Sequence, residues 1–160
     1  MQDRRPDNKP NDLYATDFYA WTQEQARLLR DGCFADLDLE NLAEEVRSVG
    51  VSDKRQIRNR LKVLIAHLLK WKYQPGLRSP GWGRTIHDQR AEIASVIEDS
   101  PSLRSFPADC AVDCYPAARQ VAADETGIDY TLFPDACPFS PDQILDPDFL
   151  PKEPDLEPPD

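Results

Sequence analysis

The sequence predicts an all-α fold: an antiparallel bundle of about four helices, followed by shorter C-terminal helices. Three observations carry this. Apolar residues recur at three- and four-residue spacing through the first two-thirds of the chain. Residues that start and stop helices stand at the ends of these periodic stretches. Alternating runs of β-branched residues, the signature of strands, are missing, and so is any repeat of fixed period.

The first predicted helix runs from about Asp17 to Asp31. Thr16 or Asp17 can cap it, and Gly32 tolerates the left-handed stop. Its stripe is Tyr14, Phe18, Trp21, Leu28 and Leu29, with Gln25 in the middle. The second runs from about Leu39 to Val49, capped by Asp38 and ended by Gly50. Leu39, Leu42, Ala43, Val46 and Val49 form its inward face. Glu44 points away from that face and Glu45 sits at its edge.

The third helix is the longest. Ser52 caps it, Asp53 suits the positive end of its dipole, and Pro75-Gly76 stops it after Tyr73. Ile57, Leu61, Leu64, Ile65 and Leu68 form the stripe, and a row Arg60-Leu64-His67-Trp71 places His67 at its margin. Lys54, Arg55, Arg58 and Lys62 line the opposite flank. After the loop QPGLRSPGWG, a fourth helix runs from Trp82 or Arg84 to about Glu98. Its stripe is Trp82, Ile86, Ile93, Val96 and Ile97, with Gln89 within it, Arg90 at its edge and His87 facing solvent. Residues 102–126 should hold one or two helices, broken near Pro107 or Pro116 and closed by Gly127. Ser140-Pro141 opens a short last helix.

The chain of 160 residues suits one helical domain over 13–150. Residues 1–12 are polar, and 151–160, PKEPDLEPPD, are acidic and proline-rich. Both are expected to be disordered, since neither can bury enough apolar surface to offset its chain entropy. No apolar run approaches the roughly 20 residues of a membrane span, and no signal-like segment opens the chain. A cytoplasmic protein without a membrane partner is expected. Cys33, Cys110, Cys114 and Cys137 are then reduced, and the spacing of Cys110 and Cys114 is one helical face rather than a zinc hairpin.

Net charge is −10 but unevenly placed. Residues 1–52 carry 6 basic against 11 acidic groups, residues 53–91 carry 10 against 2, and residues 92–160 carry 3 against 16. A basic middle between acidic flanks raises the prospect of nucleic-acid binding through 53–91, with Lys54, Arg55, Arg58 and Lys62 as its surface. The overall acidity opposes it.

Gln25, Glu45, His67 and Gln89, with Arg90, lie in or beside the apolar stripes. A buried polar group without a partner costs on the order of 1–3 kcal/mol, so meeting one another is the cheaper arrangement. A hydrogen-bonded network that fixes helix register is the first reading. A site in which Glu45 orients His67 as a base, or in which Arg90 helps hold a small anion, is the second. A metal fits poorly, because one Glu and one His are too few ligands. No phosphate loop, Gly-x-Ser-x-Gly elbow or His-Glu-x-x-His motif occurs, and no cofactor is implied.

The blocks TDFYAWTQEQARLLR, DLDLENLAEEVRSVG, RLKVLIAHLLKWKYQP, GWGRTIHDQRAEIASVIEDSPSLR and YPAARQVAADETG, with FPDACPFSPDQILDPDFLP, together resemble the bacterial family called domain of unknown function 29, over about Leu13 to Pro151. The resemblance implies a small helical protein and supplies no catalytic residues. Glu44, Glu45, His67, Lys70, Trp71, Trp82, Gln89 and Arg90 fall in its most recognisable blocks. The expected function is that of a non-enzymatic interaction or scaffold protein, with a protein partner or self-association. Nucleic-acid binding and a Glu45/His67/Arg90 site are the alternatives.

Overall fold

A computed structural model describes residues 10–154, with the side chains of 10–12 left aside. Among the described residues every regular element is helical: α1 (Pro10–Thr16), α2 (Phe18–Asp31), α3 (Leu39–Tyr73), α4 (Pro80–Asp99), α5 (Phe106–Thr126) and α6 (Pro141–Leu145), with short 3-10 turns between them. The all-α class is therefore as the sequence predicts. Of the segments expected to be disordered, 1–9 and 155–160 lie outside the described residues, and α1 opens at Pro10. The chain divides into two compact units, one ending at Val51 and the other starting at Ser52.

In the first unit, Asp17 accepts a hydrogen bond from the Ala20 amide at the start of α2, and Gly32 ends the helix at φ 72°. That conformation suits a residue without Cβ. Trp21, Gln25 and Leu28 are buried, while Phe18 and Leu29 remain about half exposed. The rings of Tyr14, Phe18 and Trp21 pack with centroids 4.9–5.8 Å apart. Asp38 ties this unit together: it accepts from Trp21 Nε1 at 3.2 Å, and its amide donates to Gln25 Oε1 at 2.8 Å.

The predicted second and third helices are one. Helix α3 runs unbroken through Gly50, which keeps an ordinary negative φ. A glycine inside a helix costs only about 1 kcal/mol relative to alanine. With helix-compatible residues on both sides, that is too little to enforce a turn. Ser52 and Asp53 are then interior residues, and the Asp53 carboxylate accepts from Ser100 Oγ at 2.9 Å. The stripe expected to face inward from this stretch also faces out: Leu39, Val46 and Val49 are 66%, 72% and 69% exposed.

In the second unit the register of contacts gives the topology. Arg60 of α3 pairs with Glu92 of α4, and Lys70 of α3 lies over the ring of Trp82 of α4, so these helices are antiparallel. Lys54 and Arg58 lie over Phe106 at the start of α5, and Lys70 pairs with Glu125 near its end, so α5 runs parallel to α3. Ile57, Leu61, Leu64, Ile65 and Leu68 are all fully buried, as their spacing predicts. They pack in one core with Ile86, Ile93, Cys110, Cys114, Tyr115 and Ala118. The Ser79-Pro80 pair caps α4 earlier than predicted, its hydroxyl accepting from the Trp82 amide. Helix α5 has Pro107 in its first turn and contains Pro116 without a break, ending at Gly127 with φ 72°. Ser140 and Gln143 form a reciprocal capping box on α6.

Candidate functional site

The seam residues find separate partners. Glu45 accepts from the Tyr14 hydroxyl at 2.6 Å, a bond that also pushes the Tyr14 pKa up. Gln25 is engaged by Asp38, and its buried Nε2 has no acceptor. Since α3 is continuous, Glu45 and His67 stand about six turns apart on one helix rather than on two helices folded against each other. A site in which Glu45 orients His67 needs two helices folded back at Gly50–Ser52, and α3 has no break there.

His67 is half-buried, with Nδ1–H donating to the Val63 carbonyl at 2.9 Å on its own helix. His67 therefore does not join the network of seam residues that the sequence suggested. Burial lowers its pKa most, followed by the opposing Val63 bond and by the positive charge of Lys70. The Val63 carbonyl fixes the tautomer with the proton on Nδ1 and leaves Nε2 as an acceptor.

Arg90 is buried and donates to the carbonyls of Ile144 at 2.8 Å, Gln143 at 3.2 Å and Pro147 at 3.5 Å. It satisfies the carbonyl end of α6, a structural role that leaves little of the guanidinium for an anion. Burial lowers its pKa. Arg119 anchors the preceding segment, donating to the carbonyls of Tyr130 and Phe133 and to the Asp135 carboxylate.

Two seam residues reach hollows: Gln25 lines one of about 530 Å³ with Glu24, Arg27 and Asp36, and Gln89 lines the other. Gln89 Oε1 accepts from Arg60 Nη1 at 3.4 Å, and the two side chains line an open groove of about 500 Å³ between α3 and α4. The α3 wall adds Ser52, Arg55, Gln56 and Asn59. Of the predicted basic surface, Arg55 alone lines this groove. Lys54 and Arg58 lie over Phe106, and Lys62 is half-buried. Sequence reading did not single out Gln56 and Asn59. The signal was present in the spacing Ser52, Gln56, Asn59 and Val63, which is one helical face, but a polar face reads by default as solvated surface.

The pairing of Lys70 with Glu125 was also hidden. Lys70 is buried, donates to Glu125 at 2.6 Å and places Nζ 4.6 Å from the centre of the Trp82 ring. No group of three or more His, Cys, Asp or Glu side chains suited to a metal occurs among the described residues. The cysteines are free, with Cys110 and Cys114 buried. Desolvation pushes the Cys110 thiol up to about 12, which keeps it protonated and unreactive.

The family model described as Domain of unknown function DUF29 matches residues 13–150. The chain belongs to this family. The match spans both units of the DUF29 chain, from Leu13 beside Tyr14 to Leu150 just beyond the segment held by Arg90. Comparison with curated proteins and with solved structures found no match. Among the described residues, no helix is long and apolar enough to cross a membrane.

Proposed function

We propose that this DUF29 protein is a non-enzymatic, self-associating helical module of the bacterial cytoplasm, whose partner surface is the N-terminal third of α3. The exposed stripe Leu39, Leu42, Val46 and Val49 is the observation that carries the reading. Three of the four are 66–72% exposed, and their spacing is that of two heptads, Leu-Leu then Val-Val at alternate steps of three and four. A solvated face of that kind costs about 25 cal/mol for each Å² of apolar surface left in water.

A second copy of the chain is the occupant that fits. Ala43 and Gly50 flank the stripe, and a Cβ built at Gly50 meets nothing within 4 Å, so a like helix can approach closely. Charges do not bar it. Glu44 and Arg47 neutralise each other at 2.8 Å, and Glu45 is turned to Tyr14. Identical patches meeting across a two-fold axis give an isologous contact. Free cysteines, two of them buried, agree with a reducing compartment.

Light scattering after size exclusion tests the reading. The wild type should show a concentration-dependent dimer, and Val46→Glu with Val49→Glu should be monomeric with unchanged helicity. A wild type that stays monomeric at high micromolar concentration removes the proposal.

A further inference from the structure

The groove between α3 and α4 is lined by two arginines and no carboxylate. It combines Arg55, Gln56, Asn59, Arg60 and Gln89 in about 500 Å³, a volume within the range of small-molecule sites. Its donors are in surplus. Arg55 makes no hydrogen bond or ion pair among the described residues, and neither do the side-chain amides of Gln56 and Asn59. Arg60 spends Nη2 on Glu92 at 3.1 Å and Nη1 on Gln89, while its Nε–H is buried without an acceptor. The same bond occupies the Gln89 oxygen and leaves the Gln89 amide N–H₂ as its free end. Glu92 is engaged by Arg60 and is not part of the lining.

We infer that this groove is a binding site for a small polar molecule carrying an oxyanion, a phosphate or a carboxylate. An oxyanion supplies what the lining lacks, several acceptors on one compact group. Arg55 is free to hold it through two parallel N–H bonds. Arg60 lines the same wall, and its Nε–H is the donor that the protein leaves without an acceptor. The amides of Gln56, Asn59 and Gln89 can both donate and accept. They suit hydroxyl or amide groups on the rest of such a ligand. Concave walls focus the positive potential of Arg55, the lining arginine without a counter-charge, even on a chain of net charge −10. A nucleic acid is the lesser fit. It would need a basic track, whereas Lys54 and Arg58 are drawn to Phe106 and the groove holds no aromatic face for a base.

Titration of the full chain at low ionic strength, followed by side-chain nitrogen–proton NMR, tests the inference. The probes are inorganic phosphate, pyrophosphate and citrate, with sodium chloride at matched ionic strength as reference. The Arg60 Nε–H signal and the Gln56, Asn59 and Gln89 amide signals should shift saturably with at least one probe and not with chloride. Stronger binding of the phosphates identifies a phosphate ligand, and stronger binding of citrate a carboxylate. Arg55→Gln should weaken binding about tenfold while leaving the fold intact, because Arg55 is exposed and unpaired, and Arg84→Gln should not. Shifts with none of the three, equal shifts with chloride, or an Arg55→Gln protein that binds as the wild type does would overturn the inference. Tighter binding of a single-stranded oligonucleotide, with shifts spreading to Lys54 and Arg58, would overturn it in favour of nucleic acid.

Discussion

Lys70 and Glu125 form a 2.6 Å ion pair across 55 residues of sequence, joining α3 to the last turns of α5. The ammonium is buried and faces the Trp82 ring, while the carboxylate is about half exposed. Charge neutralisation in a part-buried site is therefore the role of Glu125. Glu125→Gln should lower stability by about 1–3 kcal/mol, because it strands a buried ammonium. Lys70→Met in the same background should recover most of that loss, since an apolar side chain needs no counter-charge. Urea unfolding of the single and double variants measures both, and a double variant as unstable as Glu125→Gln would refute this account.

Continuity of α3 through Gly50 makes a prediction of its own. A glycine in an exposed helix interior is less favourable than alanine by roughly 0.5–1 kcal/mol. The built Cβ at Gly50 meets open space and its φ is not positive. Gly50→Ala should therefore raise the melting temperature. A turn at this position would give the opposite sign.

The His67 ring carries a pH dependence whose sign follows from its lowered pKa. With the folded pKa below the unfolded value of about 6.5, the unfolded chain binds the proton first as pH falls. His67 is fully compatible with folding above pH 7. Stability is lost as pH drops through the unfolded pKa and on to the folded one. Thermal melts between pH 8 and pH 5.5 should show a decline that is smaller in His67→Gln than in the wild type. The same slope in both proteins would exclude His67 as its source. Replacing His87, which is exposed beside Asp88, should change stability at fixed pH by no more than about 0.5 kcal/mol.

Where the sequence was legible, burial decided it. Ile57, Leu61, Leu64, Ile65 and Leu68 are an uninterrupted stripe, and no other arrangement hides all five. Asp17, Gly32, Ser140 and Gly127 act as the local chemistry of caps requires. Gly50 misled because a stop signal is a bias of about 1 kcal/mol, which propagation along a long helix overrides. Pro116 sits inside α5 for a comparable reason: the helix is buried on Cys110, Cys114, Ala118 and Ala122. The polar pairings were not legible, because they join positions far apart in the chain. Lys70 with Glu125 and Arg90 with Ile144 depend on the packing of whole helices, and periodicity within one helix carries no information on the partner.

Arg90 and the segment it holds give the last prediction. Helix α6 has only five residues, too few to persist alone. Its end is fixed by one guanidinium that donates to the carbonyls of Gln143, Ile144 and Pro147. Ile144 is itself buried in the core, so polar and apolar anchors act at the same point. A lysine at position 90 keeps the charge but offers no planar fork, and it cannot span three carbonyls. Arg90→Lys should therefore release the segment from Ser140 to Phe149 without melting the α3–α4–α5 core. Hydrogen exchange should show faster exchange of the Ile144 and Asp146 amides, which now donate to Ser140 and Asp142, and unchanged protection of Leu64 and Leu68. Global unfolding of Arg90→Lys at the wild-type midpoint, with the α6 amides still protected below it, would show that Ile144 alone suffices to hold the segment.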